Sequence, residues 1–413
     1  MKLTELKIHK LFGLLDYDIP LDQSEITILT GPNGYGKTMI LKVLNSILSN
    51  ELNILCKLKF DHMVLSYQGG SICVHNNQKG ESIQLDYFNS KGDILDSEIL
   101  KLEIEVEEKD EFIIFYSKTE STKHKPRKPK EKPLQSKYLQ QITSENIVSF
   151  ISADRLQVIK GDKSIIDTCA HKLKKLMEIA QDESAELSQN LDATFPIRLF
   201  DRLDEQKRFA YGNIETRLKG IQDKRRRYMH YGLIRSEHDL MPEKSTSMNS
   251  SNEYLGVLDL YIEDALEKLS PFEILHQKID LFESILKEKI LAFKYVVIDR
   301  DNGFYFKSLN DDIIDRNLLS SGEQNQIILL FNLIFDLVSQ KVVLIDEPEI
   351  SLHVAWQQTF LESLKKIQKI NNYEKVIIAT HSPQVISKNW SLTFDLYEML
   401  KNKGLSEPSK GNK

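Results

Sequence analysis

A glycine-rich segment, residues 31–38, constrains the fold of this chain more than any other feature. It reads Gly-Pro-Asn-Gly-Tyr-Gly-Lys-Thr and fits the pattern G-x-x-x-x-G-K-[ST]. A short β-rich stretch, residues 25–30, precedes it, and apolar residues at helical spacing follow it from Met39. Because glycines let successive backbone N–H groups point at one anion, and a helix start adds its positive end, the pattern predicts a phosphate-binding loop. The alternative is a glycine turn that enters a helix by chance.

The side chains of this segment suit the phosphates of a nucleoside triphosphate and its Mg²⁺. The ammonium of Lys37 is expected to reach the β- and γ-phosphates, and the hydroxyl of Thr38 to bind Mg²⁺. The candidate nucleotide-binding residues of the loop are Asn33, Gly34, Tyr35, Gly36, Lys37, Thr38 and Met39.

Two later apolar runs end in residues suited to hydrolysis. Residues 342–345 are typical of a strand buried on both faces, and Asp346 and Glu347 follow at its end. Asp346 is expected to bind Mg²⁺ directly or in its outer shell, and Glu347 to orient and deprotonate the attacking water. Residues 376–380 form a second run that ends in His381, which can reach a γ-phosphate if the strands are parallel. Without the phosphate loop, an ordinary acidic strand end and a structural histidine would be the alternatives.

Residues 319–324, Leu-Ser-Ser-Gly-Glu-Gln, open a predicted helix at residues 326–337 shortly before the acidic strand. LSSGEQ resembles the signature motif of the ABC-type ATPases, VVLIDEPE resembles their Walker B motif, and THSP resembles the sequence around their switch histidine. With the phosphate loop, four motifs occur in the family's order between residues 31 and 383. The resemblance implies ATP and Mg²⁺ as cofactors.

The resemblance also implies that two chains form each active site. In such ATPases, the signature serine and glycine present a hydroxyl and a helix N-terminus to the γ-phosphate bound on the opposite subunit. A homodimer or higher homo-oligomer is therefore expected, with the signature residues Ser320, Ser321, Gly322 and Glu323 at the nucleotide. Read by itself, SSGE is also a plausible helix N-cap.

The wording GPNGYGKT, DEPEISLH and ATHSP, together with residues 150–155, resembles the OLD, RecF and Septu-type branch found in bacterial anti-phage systems. The separation between the phosphate loop and the signature is too long for a compact transporter ATPase, and heptads are too few for an SMC-like arm. The branch implies an ATPase that controls a separately encoded effector, a nuclease or toxin, with no nuclease activity in this chain. The alternatives are a DNA-repair or chromosome-maintenance ATPase that binds DNA directly, and a transporter subunit.

Three further positions follow from the resemblance with open alternatives. Gln157 is the nearest candidate for a glutamine that contacts Mg²⁺ and the water, and Asp154 or Arg155 are the alternatives. His353 stands where transporters carry an aspartate in the D-loop. Phe12 is interpreted either as a stacking partner for adenine or as an ordinary core phenylalanine.

The predicted fold class is α/β, with a RecA-like P-loop ABC ATPase head, an antiparallel β subdomain and a helical insertion. Residues 1–160 are assigned to the N-terminal part of the head with the β subdomain, and residues 161–294 to the insertion. Residues 295–400 are assigned to the C-terminal part of the head, and residues 401–413 to a flexible tail. A hairpin is predicted at residues 295–308, with its turn at Asp301-Asn302-Gly303.

Composition excludes several classes of protein. The chain is 41% hydrophobic and 28% charged, which is typical of a soluble globular protein. Its longest apolar run, residues 327–335, is shorter than the ~20 residues of a membrane-spanning helix, and no secretory signal opens the chain. Three scattered cysteines indicate reduced thiols, so a cytoplasmic location without membrane contact is expected.

The net charge of −6 means that any nucleic-acid binding must come from local basic patches. Two candidates are the Lys- and Pro-rich segment 118–137 and the run Lys-Arg-Arg-Arg at residues 224–227. A solvated loop and a solvated helix face are the simpler interpretations, and contact with nucleic acid or a partner protein is the alternative.

Overall fold

The computed structural model describes residues 2–77, 82–102, 132–143, 147–153, 164–204, 211–234, 252–336 and 341–402. Gln157, Asp154, Arg155 and most of the basic segment 118–137 lie outside these ranges. The chain divides into two compact units. The first comprises Met1–Ala153, Ser339–Ile350 and Asn372–Lys413, and the second comprises Asp154–Val338 and Ser351–Asn371.

The strands of both units, in chain order, are β1 Leu3–Leu11, β2 Leu15–Pro20, β3 Ile26–Thr30, β4 His62–Tyr67, β5 Gly70–Asn77, β6 Ser82–Asn89, β7 Ile94–Lys101, β8 Val148–Ile151, β9 Lys294–Asp299, β10 Gly303–Ser308, β11 Ile313–Ile314, β12 Val342–Asp346, β13 Lys375–Ala379 and β14 Thr393–Asp395. The helices are α1 Lys37–Leu48, α2 Asn53–Lys57, α3 Lys137–Ile142, α4 Ile165–Asp204, α5 Tyr211–His230, α6 Asn252–Ile285, α7 Ser321–Phe331, α8 Val354–Gln357, α9 Phe360–Asn371, α10 Pro383–Ile386 and α11 Leu396–Asn402.

A five-stranded parallel sheet organises the first unit, in the order β14-β3-β13-β12-β8. Every residue of β3, β12 and β13 is buried, which explains why β12 and β13 are continuous apolar runs apart from Asp346 and Lys375 at their ends. Since the strands are parallel, the segments that follow β3, β12 and β13 emerge at one edge of the sheet. The predicted α/β class and the parallel arrangement are confirmed.

A six-stranded antiparallel sheet forms the β subdomain of the first unit, in the order β2-β1-β4-β5-β6-β7. Alternate residues of its strands, such as Leu6, Met63 and Leu85, join one core with α1. Burial of Ile40 and Leu44 in that core fixes the helix that follows the phosphate loop.

The second unit contains the long helices α4, α5 and α6, a three-stranded sheet in the order β11-β10-β9, and α7 with the signature segment. The predicted hairpin is confirmed, since β9 and β10 pair around a turn with Gly303 at φ 70°. Phe282 on α6 contacts Phe304 on β10 and Phe331 on α7, with ring centroids 5.6 and 6.0 Å apart. This aromatic contact joins α6, β10 and the helix that follows the signature segment within the second unit.

No helix among the described residues combines the length and the hydropathy needed to span a membrane. Cys56, Cys73 and Cys169 are all buried and free. Burial raises the pKa of the Cys73 thiol to about 11 and that of Cys169 to about 12, so these thiols are protonated at neutral pH.

An ion-pair cluster ties the three long helices of the second unit together. Buried Asp259 on α6 accepts hydrogen bonds from Arg202 on α4 through one carboxylate oxygen and from Arg217 on α5 through the other. Arg198, one turn before Arg202, pairs with Asp264 through both of its terminal nitrogens. Because the acceptor atoms are buried, these pairs specify how α4 and α5 lie against α6.

Asp259→Asn is expected to lower the free energy of unfolding of this unit by about 1–3 kcal/mol, because the amide turns an N–H₂ donor toward one of the two guanidinium groups. Urea unfolding followed by circular dichroism measures the change. Asp192→Asn is the matched control, since the Asp192 side chain is 70% exposed and its partner is Lys268 on the surface of α6. Equal effects of the two variants would contradict a specific role for Asp259.

Candidate functional site

The loop after β3 has the backbone that a phosphate-binding loop requires. Gly31, Gly34 and Gly36 lie at φ 139°, 90° and 80°, a region that side chains with a Cβ rarely adopt. A Cβ on Gly34 would meet no atom within 4 Å, whereas one on Gly36 would lie 3.1 Å from Leu11 Cδ2. Gly34 therefore faces open space in which a ligand fits, and Gly36 packs on β1 where α1 begins.

The ammonium of Lys37 lies over the loop that precedes it. Lys37 is buried, and its Nζ donates to the carbonyl oxygens of Gly31 at 2.7 Å and Pro32 at 3.1 Å. An ammonium has three N–H donors, so these two bonds leave one for a phosphate oxygen. The ammonium is thus held against the backbone of the loop.

Thr38 and Asp346, which are far apart in the sequence, meet at the edge of the parallel sheet. The Thr38 hydroxyl donates to Asp346 Oδ1 at 3.0 Å, and Asp346 is buried at the end of β12. Hydroxyl and carboxylate oxygens are the hard ligands that Mg²⁺ takes in nucleotide sites. The donor set therefore fits the predicted ion.

Tyr17 supports the loop from β2, although nothing in its local sequence marks it. Its side chain is fully buried, and its hydroxyl donates to the carbonyl oxygen of Tyr35 at 2.7 Å. Burial raises the pKa of Tyr17, which keeps the phenol a neutral donor. A pattern read along one strand cannot reveal this contact, because its acceptor is a backbone atom of the loop.

Phe12 is not a core residue, which corrects the simpler of its two interpretations. Its side chain is 41% exposed, and its backbone is left-handed at φ 57°. The ring edge would lie 3.3 Å from a Cβ placed on Gly36. The ring therefore stands exposed beside the phosphate loop because the turn after β1 directs it away from the core.

Glu347 and His381 come together at the ends of β12 and β13. Glu347 has φ 43°, a rare conformation for a residue with a side chain, and its N–H donates to the Ala379 carbonyl at 2.8 Å. His381 Nδ1 lies 3.6 Å from Glu347 Oε1, and its side chain is 52% exposed. The two candidate catalytic residues thus share the edge that holds Asp346.

Glu349 belongs to the same edge and was missed by the sequence analysis. Its Oε1 accepts hydrogen bonds from the Thr380 hydroxyl at 2.6 Å and from the backbone N–H groups of His381 at 2.9 Å and Ser382 at 3.2 Å. The second glutamate of DEPE is the only local sign of this residue, and that sign does not say which loop it contacts.

The signature segment is built as a helix N-terminus with a capping box. Ser320 is the N-cap of α7, where its Oγ accepts from the Glu323 N–H at 3.2 Å and Glu323 Oε2 accepts from the Ser320 N–H at 2.9 Å. Burial opposes ionisation of Glu323, yet Lys294 at 2.7 Å and the Ser320 donors hold its pKa below the usual range. The Glu323 carboxylate thus serves the cap, rather than pointing outward to a nucleotide.

Two signature residues remain available for a ligand. Ser321 is exposed, and a Cβ placed on Gly322 would meet no atom within 4 Å. His353 has a local role, since its Nδ1 accepts from the Ala355 N–H at 3.3 Å and caps α8. This contact explains a histidine at the D-loop position without any partner subunit.

The chain is similar to the SMC head domain from Thermotoga maritima, with 11% identity, a TM-score of 0.31, and coverage of 94% of this chain and 91% of that one. It is also similar to an SMC head bound to the C-terminal winged-helix domain of ScpA, with 11% identity, a TM-score of 0.37 and the same coverage. Both TM-scores lie below 0.5, so the assignment of the chain rests on other observations. No curated protein matches the chain.

The model of one protein family, described as the AAA ATPase domain, matches residues 1–386. The match includes the phosphate loop, the signature segment, the acidic strand and His381. The chain belongs to the AAA ATPase domain family.

Proposed function

We propose that this chain binds ATP with Mg²⁺ at residues 31–38, hydrolyses it with the help of Glu347, and works as a pair of chains. The observation that carries the proposal is the 3.0 Å hydrogen bond from Thr38 Oγ1 to Asp346 Oδ1. It joins the loop after β3 to the end of β12, so one ion can contact both side chains. ATP turnover by the purified chain, compared with its Lys37→Ala and Glu347→Gln variants, tests the proposal.

Different residues around the phosphate loop are proposed to bind the phosphates, to bind Mg²⁺ and to activate the attacking water. Backbone N–H groups of the loop and the Lys37 ammonium bind the phosphates. Thr38 and Asp346 hold Mg²⁺, which neutralises phosphate charge when bound. The Glu347 carboxylate orients a water and accepts its proton, and His381 stands 3.6 Å away, where its ring can donate to a terminal phosphate.

Pairing of chains is supported by the exposed part of the signature segment. Ser321 and Gly322 offer an exposed hydroxyl with no hydrogen bond to another described residue and an open helix start, while Ser320 and Glu323 are bonded to each other. In ABC-type ATPases, which this chain resembles, these groups face ATP bound by the opposite subunit. The proposed assembly is therefore a homodimer, or a higher homo-oligomer built from such pairs.

The proposed biological role is control of a separately encoded nuclease or toxin in anti-phage defence. This role is supported by the sequences of residues 31–38, 346–353 and 379–383, which resemble those of the OLD, RecF and Septu-type branch. An effector that copurifies with the chain from its native operon, and whose activity depends on ATP, is the expected finding. A chain that acts without any such partner would favour the second candidate.

The second candidate is an ATPase that binds nucleic acid directly, as in DNA repair or chromosome maintenance. A groove of the second unit, with a cavity of about 470 Å³, is lined by α5, α6 and α9. Arg227, Lys366 and Lys369 face it, and none forms an ion pair with another described residue. Lys224, by contrast, is bonded to Glu273 at 2.6 Å. The groove thus carries three cationic side chains beside two carboxylates, Glu273 and Asp280, which accept hydrogen bonds from Lys224 and Tyr231.

For this second candidate, the triple reversal Arg227→Glu, Lys366→Glu, Lys369→Glu is expected to weaken binding of a short DNA duplex. The slope of log K against log salt should flatten by about one for each phosphate that the reversed side chains no longer neutralise. The control is the reversal of Lys175, Lys219 and Lys287, three exposed lysines outside the groove, which changes the charge equally. Fluorescence anisotropy at several salt concentrations measures both, and equal losses of affinity would show only a general charge effect.

A further inference from the structure

We infer that Glu349 is a positioning residue, which holds the loop after β13 so that His381 faces the nucleotide in one orientation. The inference rests on the proposed function, because it assigns an orientation to a residue of that site. It concerns the hydrogen bonds that join Glu349, in the turn after β12, to residues 380–382 after β13, all within the first unit.

One carboxylate oxygen of Glu349 contacts each of residues 380–382, which we call the switch loop. Glu349 Oε1 accepts from the Thr380 hydroxyl and from the N–H groups of His381 and Ser382, and His381 Nδ1 lies 3.2 Å from it. The Ser382 N–H also contacts Thr380 Oγ1 at 3.0 Å. Three consecutive residues are thus fixed to one atom, in both main chain and side chain.

The Glu349 carboxylate is buried, so its stability depends on the hydrogen bonds that it accepts. The Glu349 side chain is only 6% exposed, and its Oε2 is buried without a hydrogen-bond partner among the described residues. A buried carboxylate is costly unless hydrogen bonds compensate for the lost water. Here the compensation comes through Oε1, so the stability of the carboxylate depends on the conformation of the switch loop.

The contact determines which ring nitrogen of His381 meets a ligand. With Nδ1 3.2 Å from Glu349 and 3.6 Å from Glu347, the Nδ1 side of the ring is occupied by carboxylates. Nε2 is then the nitrogen left for a phosphate oxygen, to which it donates in the doubly protonated ring, because a neutral ring with its proton on Nδ1 has an acceptor at Nε2. Glu349 therefore sets the position of His381 relative to Glu347.

The same contact links two neighbouring strand ends. Glu349 follows β12 and Thr380 follows β13, and these strands pair in parallel register up to Asp346 and Ala379. A movement of the turn after β12 must shift the hydrogen bonds of the switch loop. Glu349 thereby couples the segment after Walker B to the orientation of the histidine.

The first test measures the loop itself, without nucleotide. In Glu349→Ala, amide hydrogen exchange at His381 is expected to accelerate because its N–H loses its acceptor, and exchange at Ser382 should accelerate less because its N–H keeps Thr380 Oγ1 at 3.0 Å. Glu349→Gln retains an amide oxygen and should keep most of the protection. Glu374→Ala is the matched control, since Glu374 lies at the opposite end of β13 and is 42% exposed. Unchanged exchange in Glu349→Ala would overturn the inference.

The second test measures catalysis through His381. Glu349→Ala is expected to lower kcat by about 10–100-fold, as for other residues that orient a functional group, with KM for ATP nearly unchanged. Glu349→Gln should recover most of the loss. In a His381→Ala background, Glu349→Ala should cause no further loss, because the residue it positions is gone. Additive losses would assign Glu349 a different role.

The outcomes separate this inference from the proposed function. If His381→Ala leaves turnover unchanged, the assigned role of His381 is wrong, and the exchange experiment alone decides the structural contact. If His381→Ala lowers turnover but Glu349→Ala does not, the inference is wrong and the proposed function stands. Should the alanine variant fail to fold, Glu349→Asp serves for both measurements, since it keeps the charge and withdraws the oxygen by one methylene.

Discussion

Lys37→Ala is expected to lower the affinity for ATP by roughly 10²–10³-fold, because loss of a desolvated charged partner costs about 2–5 kcal/mol. The Lys37 side chain is buried, and its ammonium donates to the Gly31 and Pro32 carbonyls of the loop. Without it, those carbonyls would repel a phosphate. Titration with a fluorescent ATP analogue measures the dissociation constant.

Lys42→Ala is the matched control, because Lys42 is exposed on the same helix α1. Circular dichroism of both variants shows whether α1 remains folded. ATP affinity in Lys37→Ala equal to that of Lys42→Ala would refute the assignment of residues 31–38 as the phosphate site.

Glu347→Gln is expected to bind ATP normally and to hydrolyse it roughly 10²–10³-fold more slowly, the loss typical of one catalytic group. Glutamine preserves the size of the side chain but cannot accept the proton of the attacking water. The left-handed backbone at φ 43° points to a constrained side chain, because so rare a conformation persists only where surrounding contacts hold it. Phosphate release at saturating ATP measures turnover.

The same variant tests pairing. Because ATP persists in a site that cannot hydrolyse it, Glu347→Gln should accumulate ATP-bound pairs, visible as a doubled mass by light scattering. Glu51→Gln is the control, since Glu51 is an exposed glutamate of the same unit. Unchanged turnover would remove Glu347 from its role, and normal binding without larger species would argue against pairing around ATP.

The parts of the candidate site that depend on neighbouring residues in the sequence were largely predictable. The glycines at positions 31, 34 and 36 are required by their own backbone angles, so the sequence pattern reports the loop directly. Residues 342–345 of β12 and 376–379 of β13 are all apolar because both faces of these strands are buried, which also favours parallel pairing. Parallel pairing then brings Asp346 and His381 to the edge that holds Thr38.

Other parts of the chain could not be predicted, because their partners are distant in sequence or are backbone atoms. The Tyr17 hydroxyl acts on a carbonyl oxygen of the phosphate loop. Lys366 and Lys369 share a groove with Arg227 only because α5, α6 and α9 pack together. The basic run at residues 224–227 is therefore not a uniformly solvated helix face. Lys224 is bonded to Glu273, and Arg227 faces the groove.

By itself, the sequence determined that this chain has a phosphate loop, an acidic strand end and a histidine at the next strand end, because each depends on short-range patterns of glycine and apolar residues. The tertiary structure alone decided that the Glu349 carboxylate accepts hydrogen bonds from the residues after β13, among them the His381 N–H. The local sequence around Glu349 carries no sign of that partner. Folding chooses that partner by bringing hydrogen-bond donors to a buried oxygen that water can no longer reach.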